Sequence, residues 1–207
     1  MSDSLDKSLL SAASKDAAST VVALLERGAK VDAVNENGST SLMIASFYGN
    51  AAVQSALIQG GANVEATNSK GKSALMFAAG AGRATAVATL LDNGAQVDAA
   101  DLTGATALIS AALGGCLETV TSLLGRGANV EVANKNGMTP LMAAAFGGNA
   151  GVVTALLERG AKKEVKDKDG MTAQMLAVQK EDAKVVAVLS GVMDAERAPL
   201  PDEDEDL

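Results

Sequence analysis

Apolar side chains in this 207-residue chain come in short bursts at helical spacing, and the bursts recur every 33 residues. Leu141, Ala144 and Ala145 stand at i, i+3 and i+4, and Val153, Leu156 and Leu157 repeat the spacing after a Gly-Gly break. This pattern predicts two short amphipathic helices, each with one inward face. Thr139 is a good N-cap and Pro140 suits the first helical position, where its missing N–H costs nothing. Gly148 ends the first helix and Gly160 closes the second as a left-handed cap. From Lys162 to Asp169 the chain extends and turns at Asp-Lys-Asp-Gly, a tight-turn signature. One unit thus reads helix, turn, helix, hairpin-like finger.

The same columns run through the sequence. Leu9, Leu42, Leu75, Leu108 and Leu141 are in phase, as are Ala12, Ala45, Ala78, Ala111, Ala144 and Ala177. So are the pairs Leu24-Leu25, Leu57-Ile58, Leu90-Leu91, Leu123-Leu124 and Leu156-Leu157. Glycines hold three registers: 38, 71, 104, 137 and 170; 28, 61, 94, 127 and 160; and 49, 82, 115 and 148, the last broken by Glu181. The cap column is always Ser or Thr: Thr40, Ser73, Thr106, Thr139 and Thr172. A fixed period of this length is the mark of a stacked-repeat architecture.

The run Gly137-Met-Thr-Pro-Leu-Met-Ala-Ala, with its mid-unit glycine, paired leucines and Gly-Ala step, resembles the ankyrin repeat. The family signature is a glycine followed by Thr-Pro-Leu-His-x-Ala-Ala, and the resemblance covers roughly residues 5–194. It implies an all-α fold, an ankyrin-repeat α-solenoid of helix-turn-helix units with hairpin-like fingers. The expected organisation is one repeat domain over 1–194, in units 5–37, 38–70, 71–103, 104–136, 137–169 and 170–194, then an acidic tail over 195–207. The end units are degenerate: Leu5 and Asp16 replace glycines in the first, and Gln174 replaces the leucine in the last. Terminal repeats of a stack have one face in water, so polar departures belong there. The chain departs from the family in its histidine column, which reads Met43, Met76, Ile109, Met142 and Met175. Apolar packing by an adaptable side chain is expected to replace the local hydrogen bond the histidine makes in the family.

Composition narrows the function. Four aromatics and no Trp leave a core of Ala, Leu, Val and Met. Without His, the commonest general base and the commonest zinc ligand are missing. Cys116, the single cysteine, has no histidine to activate it and reads as a small turn residue. Gly80-Ala-Gly82-Arg83 resembles a phosphate loop only faintly, for no Gly-Lys-Ser/Thr follows. No catalytic residue, cofactor, metal or small-molecule substrate is expected. A net charge of −8 argues against nucleic acid, and no apolar run approaches the ~20 residues of a membrane span. The acidic, polar start is unlike a targeting peptide, so the expected location is cytoplasmic or nuclear. Asp32, Glu65, Asp98, Glu131 and Glu164 share one finger column, a solvated acidic row with the potential to attract a basic partner or calcium. Lys162, Lys163, Lys166 and Lys168 crowd the fifth finger. The tail, with five consecutive acids at 202–206, is expected to be disordered.

In the ankyrin family, partners dock on the concave side formed by finger tips and the first helices. Carried onto this chain, that face gathers Phe47, Tyr48, Leu102, Leu113, Met138, Phe146 and Met171, with Glu36, Lys70, Lys72 and Lys135 beside them. Three of the four aromatics fall in this set, and aromatic anchors on a surface are what interface hot spots look like. Gly80, Ala81, Gly114 and Gly147 leave room between them. The expected function is a non-enzymatic adaptor, scaffold or inhibitor gripping a helix or extended segment of another protein. The alternatives are a structural subunit of a larger assembly, and an escort for a basic client that uses the acidic tail.

Overall fold

The computed structural model describes residues 2–191, so the tail expected to be disordered, 195–207, and the last residues of the sixth unit lie outside the described residues. Helices come in pairs: α1 (Ser2–Ala13) with α2 (Ala18–Glu26), α3 (Ser41–Tyr48) with α4 (Ala51–Gln59), and α5 (Ala74–Gly80) with α6 (Ala84–Asp92). There follow α7 (Ala107–Leu113) with α8 (Leu117–Gly125), α9 (Pro140–Phe146) with α10 (Ala150–Glu158), and α11 (Ala173–Gln179) with α12 (Ala183–Ser190). Odd-numbered helices pack side by side in one layer and even-numbered helices in a second, and each pair joins the layers. Among the described residues there is no strand, only isolated bridges such as Val34 to Thr40 at the base of a finger.

Helices this short are unstable alone, because nucleation costs more than two turns repay. Two things hold them. Thr40, Ser73, Thr106, Thr139 and Thr172 each accept the amide three residues on, satisfying one orphan donor of the first turn. The leucines of the first column and the alanines three residues later are all but sealed from water, so burial supplies the remainder. Met43, Met76, Ile109 and Met142 lie in that core as expected, but Met175 does not: it is 48% exposed. The inner face of α11 packs on α9, and among the described residues no helix covers its outer face. The methionine column is also more than packing, for Met43 Sδ accepts the Thr40 amide at 3.4 Å and keeps a local hydrogen bond there.

The two ends of the stack differ. The outer side of α1 is a polar concavity lined by Asp3, Lys7, Ser11 and Lys15, among others. At the far end Met175 and Val178 face outward, in columns that inner units bury with Met142 and Ala145. One inner interface is polar as well. Gln54 is fully buried in a column otherwise held by Val21, Val87, Val120 and Val153; its amide donates to Ser46 Oγ and Ala86 O while its Oε1 has no partner.

Successive fingers are tied by a backbone ladder. The amides of Ser69, Leu102, Lys135 and Lys168 donate to the carbonyls of Asn37, Lys70, Thr103 and Asn136, one unit earlier, at 2.9–3.1 Å. Neighbouring fingers run close because a glycine stands at each turn. A Cβ on Gly104 would sit 2.9 Å from the Lys135 amide nitrogen, and its φ of +80° is left-handed besides. Gly170 has the same conformation, φ +77°, with nothing near it among the described residues. Ala at either position therefore costs roughly 1 kcal/mol of backbone strain, but only Gly104→Ala adds the overpacking penalty of about 1–3 kcal/mol. Chemical denaturation of the two variants should show the larger loss for Gly104→Ala. In the same assay Gln54→Val combined with Ser46→Ala, which removes both members of the buried pair together with the unpaired oxygen, should leave the midpoint unchanged or raise it.

Candidate protein-interaction surface

Phe47 and Tyr48 occupy the last turn of α3, where Gly49 in the left-handed conformation stops the helix. Neighbouring Ser46 points into the core, so the next two positions are turned outward, 46% and 50% exposed. Their rings meet edge to face, with centroids 5.3 Å apart. Phe77 of α5, half-buried, stands edge-on to Phe47 at 6.5 Å. Edge-to-face pairs favour both rings and hold them as one unit. Asn35 and Ser39 of the finger, with Met43 and Ile44 of α3, close a cavity of about 230 Å³ beneath these rings.

Sequence reasoning missed Phe77. It stands one helical turn before Gly80, on the half-buried side of α5, so counting back from the opening of the groove passed over it. Conversely, Phe146 does not belong to the cluster. It lies three units away on α9 and is capped by the Lys180 ammonium, 4.1 Å above its ring. The remaining expected residues are spread along the stack. Leu102 is 63% exposed at a finger tip and Leu113 is exposed at the end of α7. Met138 and Met171 are half-buried against the core, and Glu36, Lys70 and Lys135 are exposed at finger tips. Lys72 is half-buried beside its finger.

The finger acids are engaged in building the stack. Asp32 accepts the Asn63 amide, Glu65 that of Gln96, Asp98 that of Asn129 and Glu131 that of Lys162, all at about 3 Å and all in the following unit. The row faces solvent as expected and is at the same time a set of braces between units. For Glu164, the next in the column, position 195 lies outside the described residues. Asp6 on α1 makes the same bond to the Lys30 amide, supplying the carboxylate that a preceding finger would have carried.

A second finger column shapes the turn itself. Asn35, Asn68, Asp101, Asn134 and Asp167 each accept two amides, two and four residues on, through one side-chain oxygen. At Asp101 burial pushes the carboxyl pKa up. The Thr103 hydroxyl at 2.6 Å, the Ala105 and Thr103 amides and the charge of Lys72 outweigh that and leave it below the ordinary value. Cys116 caps α8 in a column where Asn50 and Asn149 reach back to carbonyls of the preceding unit and Arg83 does so through its guanidinium. Its thiol has only a weak contact, 3.6 Å, with the Gly114 carbonyl.

Comparison with known families agrees with this architecture. The family described as "Ankyrin repeats (3 copies)" matches residues 9–101, 52–134 and 108–197, three overlapping stretches that span nearly the whole chain. No curated protein matches the chain.

Asp101 gives the finger a measurable pH dependence. Its depressed folded-state pKa contributes stability that is present above the unfolded carboxylate value, about 4, and lost as pH falls through the folded value. Asn makes the same two amide bonds at three other units, so Asp101→Asn should fold normally at neutral pH. Denaturation midpoints measured on descending into acid should fall less steeply for the variant than for the parent.

Proposed function

The chain belongs to the ankyrin-repeat family, whose repeats are generally protein–protein interaction modules, and from that premise we propose that it is a non-enzymatic binding module. Its partner is another protein, held by a helix or extended segment whose apolar side chain enters the cavity under Phe47, Tyr48 and Phe77. The observation that carries this reading is the clustering of three of the chain's four aromatics on one exposed face, around a cavity their own side chains do not fill. A core short of aromatics would gain from burying them, so their place at the surface speaks for a use outside the core. The frame beneath is rigid: α3 and α5 pack directly on each other, and the fingers beside them are tied by the ladder. Little ordering cost is then left to binding. Gly80 leaves room beside α5, whereas Gly114 and Gly147 are packed on the preceding unit, where a Cβ on Gly147 would lie 2.5 Å from the Leu113 carbonyl oxygen.

Replacing Phe47 and Tyr48 together by Ser tests this. An anchor of this kind is worth roughly 2 kcal/mol per ring, so losing both should weaken capture of the partner on the order of 1,000-fold. Both rings face water and pack little in the core, so the helical circular dichroism and the unfolding midpoint should stay close to those of the parent. Quantitative pull-downs with parent and variant, followed by mass spectrometry, read the result; undiminished capture by the variant overturns the groove.

A further inference from the structure

The aromatic cavity has a charged rim of the sign opposite to the chain as a whole. Lys70 and Lys72 ride on the next finger, whose Asn68 amide nitrogen lies 3.5 Å from Ser39 Oγ in the cavity wall. Arg83 closes the other side, its Nε donating to the Phe47 carbonyl at 3.2 Å. Lys7 stands with Asn35 and Glu36 on the far flank of the finger. Among the described residues the only ion pair is Arg126 with Asp92; Lys72 lies near enough to Asp101 to lower its pKa, while Lys7, Lys70 and Arg83 make no ion pair with a described carboxylate. Lys135 and Lys168 extend the positive row along the finger tips toward the C-terminal end of the stack.

We propose that this cavity and its cationic rim are the docking site of the chain's own acidic segment, residues 198–207, with the five acids at 202–206 over the lysines and Leu207 as the apolar anchor. The inference rests on the groove reading above and names the segment that competes for the groove. Three observations carry it. The first is charge: five consecutive carboxylates in a protein of net charge −8 meet one of its few positive tracks. The second is length. Sixteen residues follow Gly191 and span at most ~55 Å, whereas α11 to α3 is four packed helix steps, ~32–40 Å at 8–10 Å each. The third is direction. In the inner units the segment after the second helix is a finger, so the end of α12 corresponds to the edge of the stack that carries the lysine-bearing fingers. The fifth finger, nearer in sequence, is a poorer seat: Glu164, Asp167 and Asp169 interleave its lysines.

A tethered segment sees its site at an effective concentration of about 1 mM, so a peptide Kd of about 0.1 mM keeps the site roughly nine-tenths filled. Tyr48 is the only tyrosine and there is no Trp, so its fluorescence reports on this cavity alone. The test uses the full chain carrying Asp202→Asn, Glu203→Gln, Asp204→Asn, Glu205→Gln and Asp206→Asn. Acrylamide should quench Tyr48 severalfold more readily in this variant than in the parent. A synthetic peptide of residues 198–207 should restore protection, and adding Lys70→Glu and Lys72→Glu to the variant should abolish that effect. Equal quenching in parent and variant with no effect of the peptide overturns the proposal. Protection that grows with protein concentration overturns it too, by assigning the segment to a second copy. So does loss of the peptide effect on Lys166→Glu with Lys168→Glu while Lys70→Glu with Lys72→Glu leaves it intact. Failure here leaves the groove reading standing if the tail-neutralised chain still captures a partner in a manner dependent on Phe47 and Tyr48.

Discussion

Each inner unit of this chain donates backbone amides to acceptors in the unit before it. One is at the finger tip, donated to a backbone carbonyl; another is on the residue directly after the Gly-Ala step, donated to an Asp or Glu. These bonds lie at the exposed edge, so each contributes modestly and it is their repetition, unit on unit, that ties the fingers in register. The period of 33 follows from these ties as much as from helix packing. The finger must reach back the same distance each time, and glycine must stand where the approach is closest, as at Gly104. Asp6 makes the corresponding bond from a helix, α1 supplying the carboxylate for the Lys30 amide.

This linkage is what lets a surface so poor in large side chains carry a function. Fingers pinned at tip and base hold Asn35 and Ser39 in the cavity wall, and close packing of α3 on α5 fixes the angle between Phe47 and Phe77. The same fingers set the sign of the local field. Their braced acids spend charge on amides one unit on, while the lysines between them are free of described ion pairs. A chain with net negative charge thus presents a positive track along one edge.

Much of this was legible in the sequence because stacking turns a physical requirement into a column. Thr40, Ser73, Thr106, Thr139 and Thr172 declared five helix starts, and the leucine column declared the inward face. What columns could not convey was the relation between columns. The acids Asp32, Glu65, Asp98 and Glu131 read only as a solvated row because their acceptor role involves residues 31 positions away, a distance slightly off the period. Phe77 was hidden because it belongs to the cavity through an aromatic neighbour in another unit, not through its own register. Phe146 shared the right register and the wrong neighbourhood, where Lys180 covers it. Met175 kept its column but lost the burial, since burial belongs to the pair of units and not to the residue.

The unlike ends of the stack give the molecule a direction. One end is finished by the polar outer side of α1, and the other shows Met175 and Val178 in positions that elsewhere serve as the bed for the next unit. Stability in such arrays is summed from neighbour to neighbour, so α11 and α12, held from one side only among the described residues, form the weakest link. Thermal fraying would begin there and run toward α1 like a zip opened from one end. By the same logic, a further tandem copy joined behind α12 would find its bed already made, whereas one joined ahead of α1 would not.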